Sequence, residues 1–224
     1  MYVIIQARMS SRRLPGKVLM KLGGRELLGW VIDRVRMVSD LSVVVATSVE
    51  ESDNAIKVFC EREGVQCYRG PLDNVAKRFA MVIEGEGCEA FVRICADSPL
   101  IDPKLIDMAV SLYKIARCDL VTNVLSRSFP KGQSIEVVKA DTFMDALGHM
   151  HTEDHYEHVT SYFYKNHQRY SIVSFSSGFD AATVNLCVDT KEDLRVIQQI
   201  VLSGEGSLGG WQSLVGRLDL NKKC

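Results

Sequence analysis

The chain has 224 residues, 46% hydrophobic and 25% charged, with 27 Lys and Arg against 28 Asp and Glu for a net charge of -1. It is too apolar for a disordered chain, and its balanced charge argues against a dedicated nucleic-acid binder, which carries a basic excess. At roughly 150 residues per domain, the length holds one large domain, or one domain with a sizeable excursion.

Tyr2 to Ala7 is a continuous apolar run expected of a strand buried on both faces. A polar, glycine-containing stretch follows from Arg8 to Gly24. Leu27, Leu28, Trp30, Val31, Val35 and Val38 then fall at helical spacing. Ser42 to Ala46 reads as a strand, Asn54 to Glu63 as a helix ended by Gly64, and Asp73 to Ile83 as another helix. Ala90 to Ile94 reads as a buried strand. Asp102-Pro103 has the form of an N-cap with Pro at the first helical position, opening a helix to about Ala116. Asp119 to Thr122 reads as a further strand. This alternation predicts a parallel sheet with right-handed crossovers.

The rhythm breaks after Thr122. Asn123 to Gly132 reads as a loop and Ile135 to Val138 as an edge or hairpin strand. Helices are expected over Ala140 to Leu147 and roughly Thr152 to Lys165, and strands over Ser171 to Phe175 and Leu186 to Val188. Thr190 to Leu202 closes the series as an amphipathic helix. The tail from Ser203 to Gly210 is glycine-rich and reads as loose, with Trp211 free to pack on a partner. The whole predicts one α/β domain with an inserted excursion at about 123–170.

No run of about 18 apolar residues is present to span a membrane, and the start has neither basic n-region nor cleavage site. The 7 cysteines are widely spaced with no Cys-x-x-Cys pair, so a reducing cytoplasm is the expected compartment.

The segment leaving the first strand carries Arg8, Arg12, Arg13 and Lys17 with two serines and Gly16. Bunched cations repel one another, so their presence in one short loop at a strand end points to a bound polyanion such as a triphosphate, or to a solvated basic turn. Neither a Walker A sequence nor Gly-x-Gly-x-x-Gly is present. Two acids, Asp97 and Asp189, each follow an expected core strand. Such a pair suits Mg²⁺, which takes one or two carboxylates besides phosphate oxygens and water, although both acids also stand where helices begin. The Thr190/Asp193 spacing itself has the form of a capping box.

These residues carry a resemblance. Ala7-Arg-Met-Ser-Ser-Arg-Arg-Leu-Pro-Gly-Lys17 is similar to the Ala-Arg-x-Gly-Ser-x-Arg-Leu-Pro-Gly-Lys signature of the CTP-dependent cytidylyltransferases. That family includes the CMP-KDO synthetases, the CMP-acylneuraminate synthetases and, most alike, the spore coat polysaccharide biosynthesis protein F group. The other marks recur in order: Val44-Val-Ala-Thr47, Asp73-Asn-Val-Ala-Lys-Arg-Phe79, Val92-Arg-Ile-Cys-Ala-Asp-Ser-Pro-Leu-Ile-Asp102, Phe129-Pro-Lys-Gly132 with Glu136-Val137, Glu157-His-Val-Thr160 and Val188-Asp-Thr-Lys-Glu-Asp-Leu194.

The resemblance implies a Rossmann-like, three-layer α/β/α nucleotidyltransferase fold, GT-A-like, with a mostly parallel central sheet and an inserted dimerisation excursion. It implies transfer of CMP from CTP to an acidic sugar (nonulosonate- or KDO-type) or a phosphorylated small molecule, with pyrophosphate leaving. By position it assigns Arg8, Ser11, Arg13 and Lys17 to the triphosphate, Arg78 to the neighbourhood of the nucleotide, and Asp97 and Asp189 to Mg²⁺. Lys17, Arg13 and the two acids thereby become the catalytic set. Glu136 and His158 fall in segments that approach the acceptor or a dimer interface. A homodimer is expected through the 123–170 region, since strand-like Ile135 to Val138 would otherwise leave an open sheet edge. Departures from the pattern are Ser10 for glycine, Ser134 for aspartate, and Asn74 and Lys77 for acids.

Three other readings compete. His149, His151, His155 and His158 cluster, and His151 and His155 have a spacing that suits zinc on one helical face. A nucleotide-sugar-dependent GT-A glycosyltransferase shares the nucleotide half, but the Asp-x-Asp triplet usual there is missing near Asp97. A non-catalytic paralogue would bind nucleotide without turnover.

Overall fold

The computed structural model describes residues 1–203 and 209–221, the side chains of 219–221 excepted. In chain order the elements are β1 (Tyr2–Gln6), β2 (Lys21–Leu22), β3 (Arg25–Glu26), α1 (Leu27–Val35), β4 (Ser42–Ser48), α2 (Asn54–Glu63), β5 (Gln66–Gly70), α3 (Val75–Glu86) and β6 (Ala90–Cys95). They continue as α4 (Pro103–Ala116), β7 (Leu120–Thr122), β8 (Glu136–Lys139), α5 (Ala140–Leu147), α6 (Glu153–Glu157), α7 (Ser161–Lys165), β9 (Ile172–Ser174), α8 (Lys191–Leu202) and α9 (Trp211–Asn221).

The 7-stranded sheet runs β5-β4-β1-β6-β8-β7-β9. β5, β4, β1 and β6 are mutually parallel, whereas β8 is antiparallel to both neighbours. Alternation along β1 explains the layers: Val3 and Ile5 face a core built with α1, α2 and α4, while Ile4 faces a second core built with α3, α5 and α7. A third cluster joins the β2–β3 hairpin to α8 and α9 through Leu22, Ile197, Ile200 and Leu214.

Several expectations are corrected. Of the two alternatives for Ile135 to Val138, the hairpin holds, since β8 pairs antiparallel with the preceding β7, and the edge does not. β8 also pairs with β6, so the 123–170 segment contributes an interior strand and the open-edge argument for pairing falls. The helix expected from Thr152 to Lys165 is two short ones. The chain turns out of helical geometry at His158, and Thr160 spends its hydroxyl on buried Glu136. Leu186 to Val188 stays outside the sheet, because Asn185 Oδ1 accepts the Cys187 N–H and the flanking backbone bonds to Lys131 and Asp97 instead of a ladder. Trp211 begins α9 and is buried within this chain, its ring centroid 5.3 Å from that of Phe129 and 5.1 Å from that of Phe179. Most of the Ser203 to Gly210 tail lies outside the described residues. Strand β5 and helix α9 have no counterpart in the sequence reading, because Gln66-Cys-Tyr-Arg is an edge strand without a β-branched run.

Candidate active site

Because β1, β4 and β6 are parallel in register, their carboxyl ends open at one edge of the sheet, where α/β sheets place ligands. The loop after β1 is closed by a Gly16 N–H to Met9 O bond of 2.8 Å, with Gly16 at φ 73, a left-handed turn that favours glycine. Its start is pinned by Asp53, fully buried, whose carboxylate accepts from Met9 N–H at 2.7 Å and also from the Thr47 hydroxyl and the Ser48 N–H and hydroxyl. Asp53 thus shapes the loop that carries Arg8, Ser11, Arg13 and Lys17. Sequence reasoning missed it, since an acid at a helix start looks like a cap.

The loop lines a cavity of about 420 Å³ together with Arg78, Arg93, Cys95, Asp97, His158 and Asp189. Lys17 is the junction. Its ammonium donates to Asp97 Oδ2 at 2.9 Å and to Asp189 Oδ1 at 2.8 Å, and Arg13 meets the other Asp189 oxygen at 2.8 Å. Burial alone would push the Lys17 pKa down, but the two carboxylates outweigh it and the pKa rises. Burial likewise favours the neutral Asp189 carboxyl, and Lys17 and Arg13 reverse this to hold it below its ordinary value.

The acids meet because the backbone ties their segments together. Val188 N–H donates to Asp97 O at 2.9 Å, and Leu186 N–H to Lys131 O at 2.8 Å. Asp193 holds the Asp189 and Thr190 N–H groups while completing the capping box of α8. Gly132 permits the close approach: a Cβ there would stand 2.8 Å from Leu186 backbone atoms.

Arg78 lies on α3 and is buried, with Nε and Nη1 lacking any partner among the described residues. Burial, and then the like charge of Arg8, push its pKa down to about 10. Buried guanidinium donors without acceptors are costly, and this residue lines the cavity. Glu136 does not line the cavity. It is buried behind Arg93, accepting from Arg93 Nη1 at 2.5 Å, from Thr160 Oγ1 at 2.6 Å and from the Tyr164 hydroxyl. Arg93 Nε also donates to Gln6 Oε1 at 3.0 Å. Arg93 and Glu157 are residues the sequence reading passed over. The alternation of Arg93, Cys95 and Asp97 along one strand face is the signal that could have found the first.

Two carboxylates converging on one ammonium form a donor set that fits a hard divalent cation, the ammonium marking a position both oxygens reach. The zinc alternative finds no such support. Among the described residues no three His, Cys, Asp or Glu side chains gather to hold a metal, and His155 sits edge-on to Tyr162. No helix is long and apolar enough to cross a membrane, again among the described residues.

A family model described as cytidylyltransferase matches residues 2–206. This chain belongs to the cytidylyltransferase family. It is 36% identical over 206 residues to spore coat polysaccharide biosynthesis protein SpsF of Bacillus subtilis, covering 88% of this chain and 84% of that one. It is also 39% identical over 108 residues to 3-deoxy-manno-octulosonate cytidylyltransferase of Solibacter usitatus, covering 48% of this chain and 42% of the relative. A cytidylyltransferase structure from Leptospira borgpetersenii superposes with TM-score 0.93 at 26% identity, covering 99% of this chain and 94% of the other. CMP:2-keto-3-deoxy-manno-octonic acid synthetase, solved with CTP, gives TM-score 0.68 at 16% identity over 90% of this chain and 98% of the other, a likeness of fold. The fold of this family member is accordingly the Rossmann-like nucleotidyltransferase fold, with helices on both faces of a mostly parallel sheet.

Proposed function

We propose that this cytidylyltransferase transfers CMP from CTP to a hydroxyl of an acidic sugar, of nonulosonate or KDO type, and releases pyrophosphate, with Mg²⁺ as cofactor. The observation that carries the reading is the Lys17 ammonium held between Asp97 and Asp189 in a cavity whose lining includes five arginines, Arg8, Arg12, Arg13, Arg78 and Arg93.

Transfer of this kind needs little covalent work from the protein; positioning and charge neutralisation dominate it. Arg8, Ser11, Arg13 and Lys17 bind and orient the triphosphate, and Arg78 finds in the nucleotide the acceptor it lacks. Lys17 and Arg13 stabilise the negative charge that builds on the departing pyrophosphate. Asp97 and Asp189 would hold Mg²⁺, which would supply neutralisation of phosphate charge and a lower pKa for the attacking hydroxyl. Arg93, fixed by Glu136, adds a cation beyond the acids, which supports an acceptor carrying a carboxylate.

The test is pyrophosphate release from each of the four nucleoside triphosphates with Mg²⁺ and a panel of acidic sugars and phosphate monoesters. Release with CTP and one acidic sugar is expected. Release only with a phosphate monoester would replace the acceptor, and CTP binding without turnover on any acceptor would sink the reading. Homodimerisation belongs to the same proposal on the family likeness, and sedimentation solely at the monomer mass over a wide concentration range would remove it.

A further inference from the structure

Arg8 reaches across the mouth of the cavity to Glu157. Its Nη1 and Nη2 donate to the two carboxylate oxygens at 2.9 Å and 2.6 Å, a fork-on-fork pair with both side chains about one-third exposed. The same two residues also line a neighbouring cavity of about 880 Å³, so the pair stands on the boundary between the two spaces. Glu157 is the last residue of α6, a five-residue helix with no buried residue. Arg78, whose Nε and Nη1 have no partner among the described residues, feels Arg8 as a repulsion and Glu157 as an attraction.

A carboxylate seated on the fork of a phosphate-loop arginine occupies the donors that a phosphate would use. The Arg8 Nη1–Nη2 edge holds one planar acceptor at a time. We propose that Glu157 is a built-in competing anion: it occupies Arg8 while nucleotide is absent, and a nucleoside triphosphate displaces it. Glu157 ends α6 and is only half-buried, so once it leaves Arg8 the last turn of the helix loosens while Tyr156 stays packed on the second core. Glu157 thereby lowers triphosphate affinity, and its departure joins the nucleotide cavity to the larger neighbouring one. The inference rests on the nucleotide-binding part of the proposed function and on no acceptor identity.

Calorimetric titration of CTP, and separately of inorganic tripolyphosphate, into wild-type chain, Glu157→Gln, Arg8→Gln and the double variant tests this. Glu157→Gln is expected to bind CTP about fivefold tighter, the upper end for a partly exposed ion pair. That gain must vanish in the Arg8→Gln background. Asp154→Asn, which removes the same charge from the same helix without touching Arg8, must give no gain. Hydrogen exchange over residues 153–157 rises when wild-type chain is saturated with CTP. No gain in Glu157→Gln, an equal gain without Arg8, an equal gain in Asp154→Asn, or unchanged exchange would each overturn the proposal. A gain seen with tripolyphosphate, while no variant binds CTP, would leave the exchange standing and defeat the CTP reading instead.

Discussion

Lys17 with Asp97 and Asp189, and Arg93 with Glu136, are two charged clusters serving one cavity, and they are built for different work. Asp97 and Asp189 are 27% and 28% exposed, sit in the segment after β6 and just before α8, and share a single ammonium. Glu136 is 2% exposed, sits within the sheet on β8, and has both oxygens satisfied by Arg93, Thr160 and Tyr164. Partly wetted carboxylates can exchange one cation for another at small cost, whereas a buried and fully bonded pair is costly to disturb. The first cluster is therefore the part able to trade partners. The second is a frame that aims Arg93.

The strongest way to break this contrast is Glu136→Gln. Leaving Arg93 buried without its counter-charge costs about 3–5 kcal/mol at neutral pH, read from the denaturation midpoint. The pH dependence has a definite sign. Burial favours the neutral Glu136 carboxyl, but Arg93, Thr160 and Tyr164 prevail and hold its pKa below the ordinary 4.5. Its contribution is complete above that ordinary value and fades as pH falls through the lower folded value, so variant and wild type converge in acid. Equal stability at neutral pH would show that the pair is no frame.

Asp97→Asn addresses the other cluster and has the opposite profile. Turnover, followed as pyrophosphate release, falls about 10²–10³-fold, while the thermal midpoint moves little because Lys17 keeps Asp189. A large loss of stability with proportionate loss of activity would place Asp97 in the frame instead.

Gly132→Ala probes the strap between the clusters. With φ 92 and a Cβ position 2.8 Å from Leu186 backbone atoms, the substitution costs about 1–3 kcal/mol and displaces the segment that delivers Asp189. Turnover falls further than the stability change accounts for. Asp102→Ala gives the smallest effect, about 1–2 kcal/mol, with turnover unchanged. Its carboxylate caps α4 through Lys104 N–H at 2.9 Å and also receives the Trp211 N–H at 2.9 Å.

Asp102 shows how far the sequence could be read. Its place before Pro103 announces α4, and that helix ends at Ala116 as the spacing predicts. Its second partner, Trp211, is legible only in the folded chain. Likewise α2 runs from Asn54 to Glu63 and α8 follows the Thr190 capping box as read, because caps and helical periodicity act over a few neighbouring residues. β8 shows the opposite. Glu136-Val-Val-Lys is recognisably a strand, but nothing local distinguishes an edge from a centre, since that depends on which other strands arrive on either side.

The sequence alone determined the alternating α/β order, the cationic loop and the identity of the two acids, since composition, period and capping are properties of neighbouring residues. Tertiary structure decided which charges meet: that Lys17 joins Asp97 to Asp189, that Glu136 serves Arg93 from behind the cavity, and that Glu157 sits on Arg8. These pairings join distant segments. Long-range partners are chosen by how the helices and strands pack, and no local pattern records that choice.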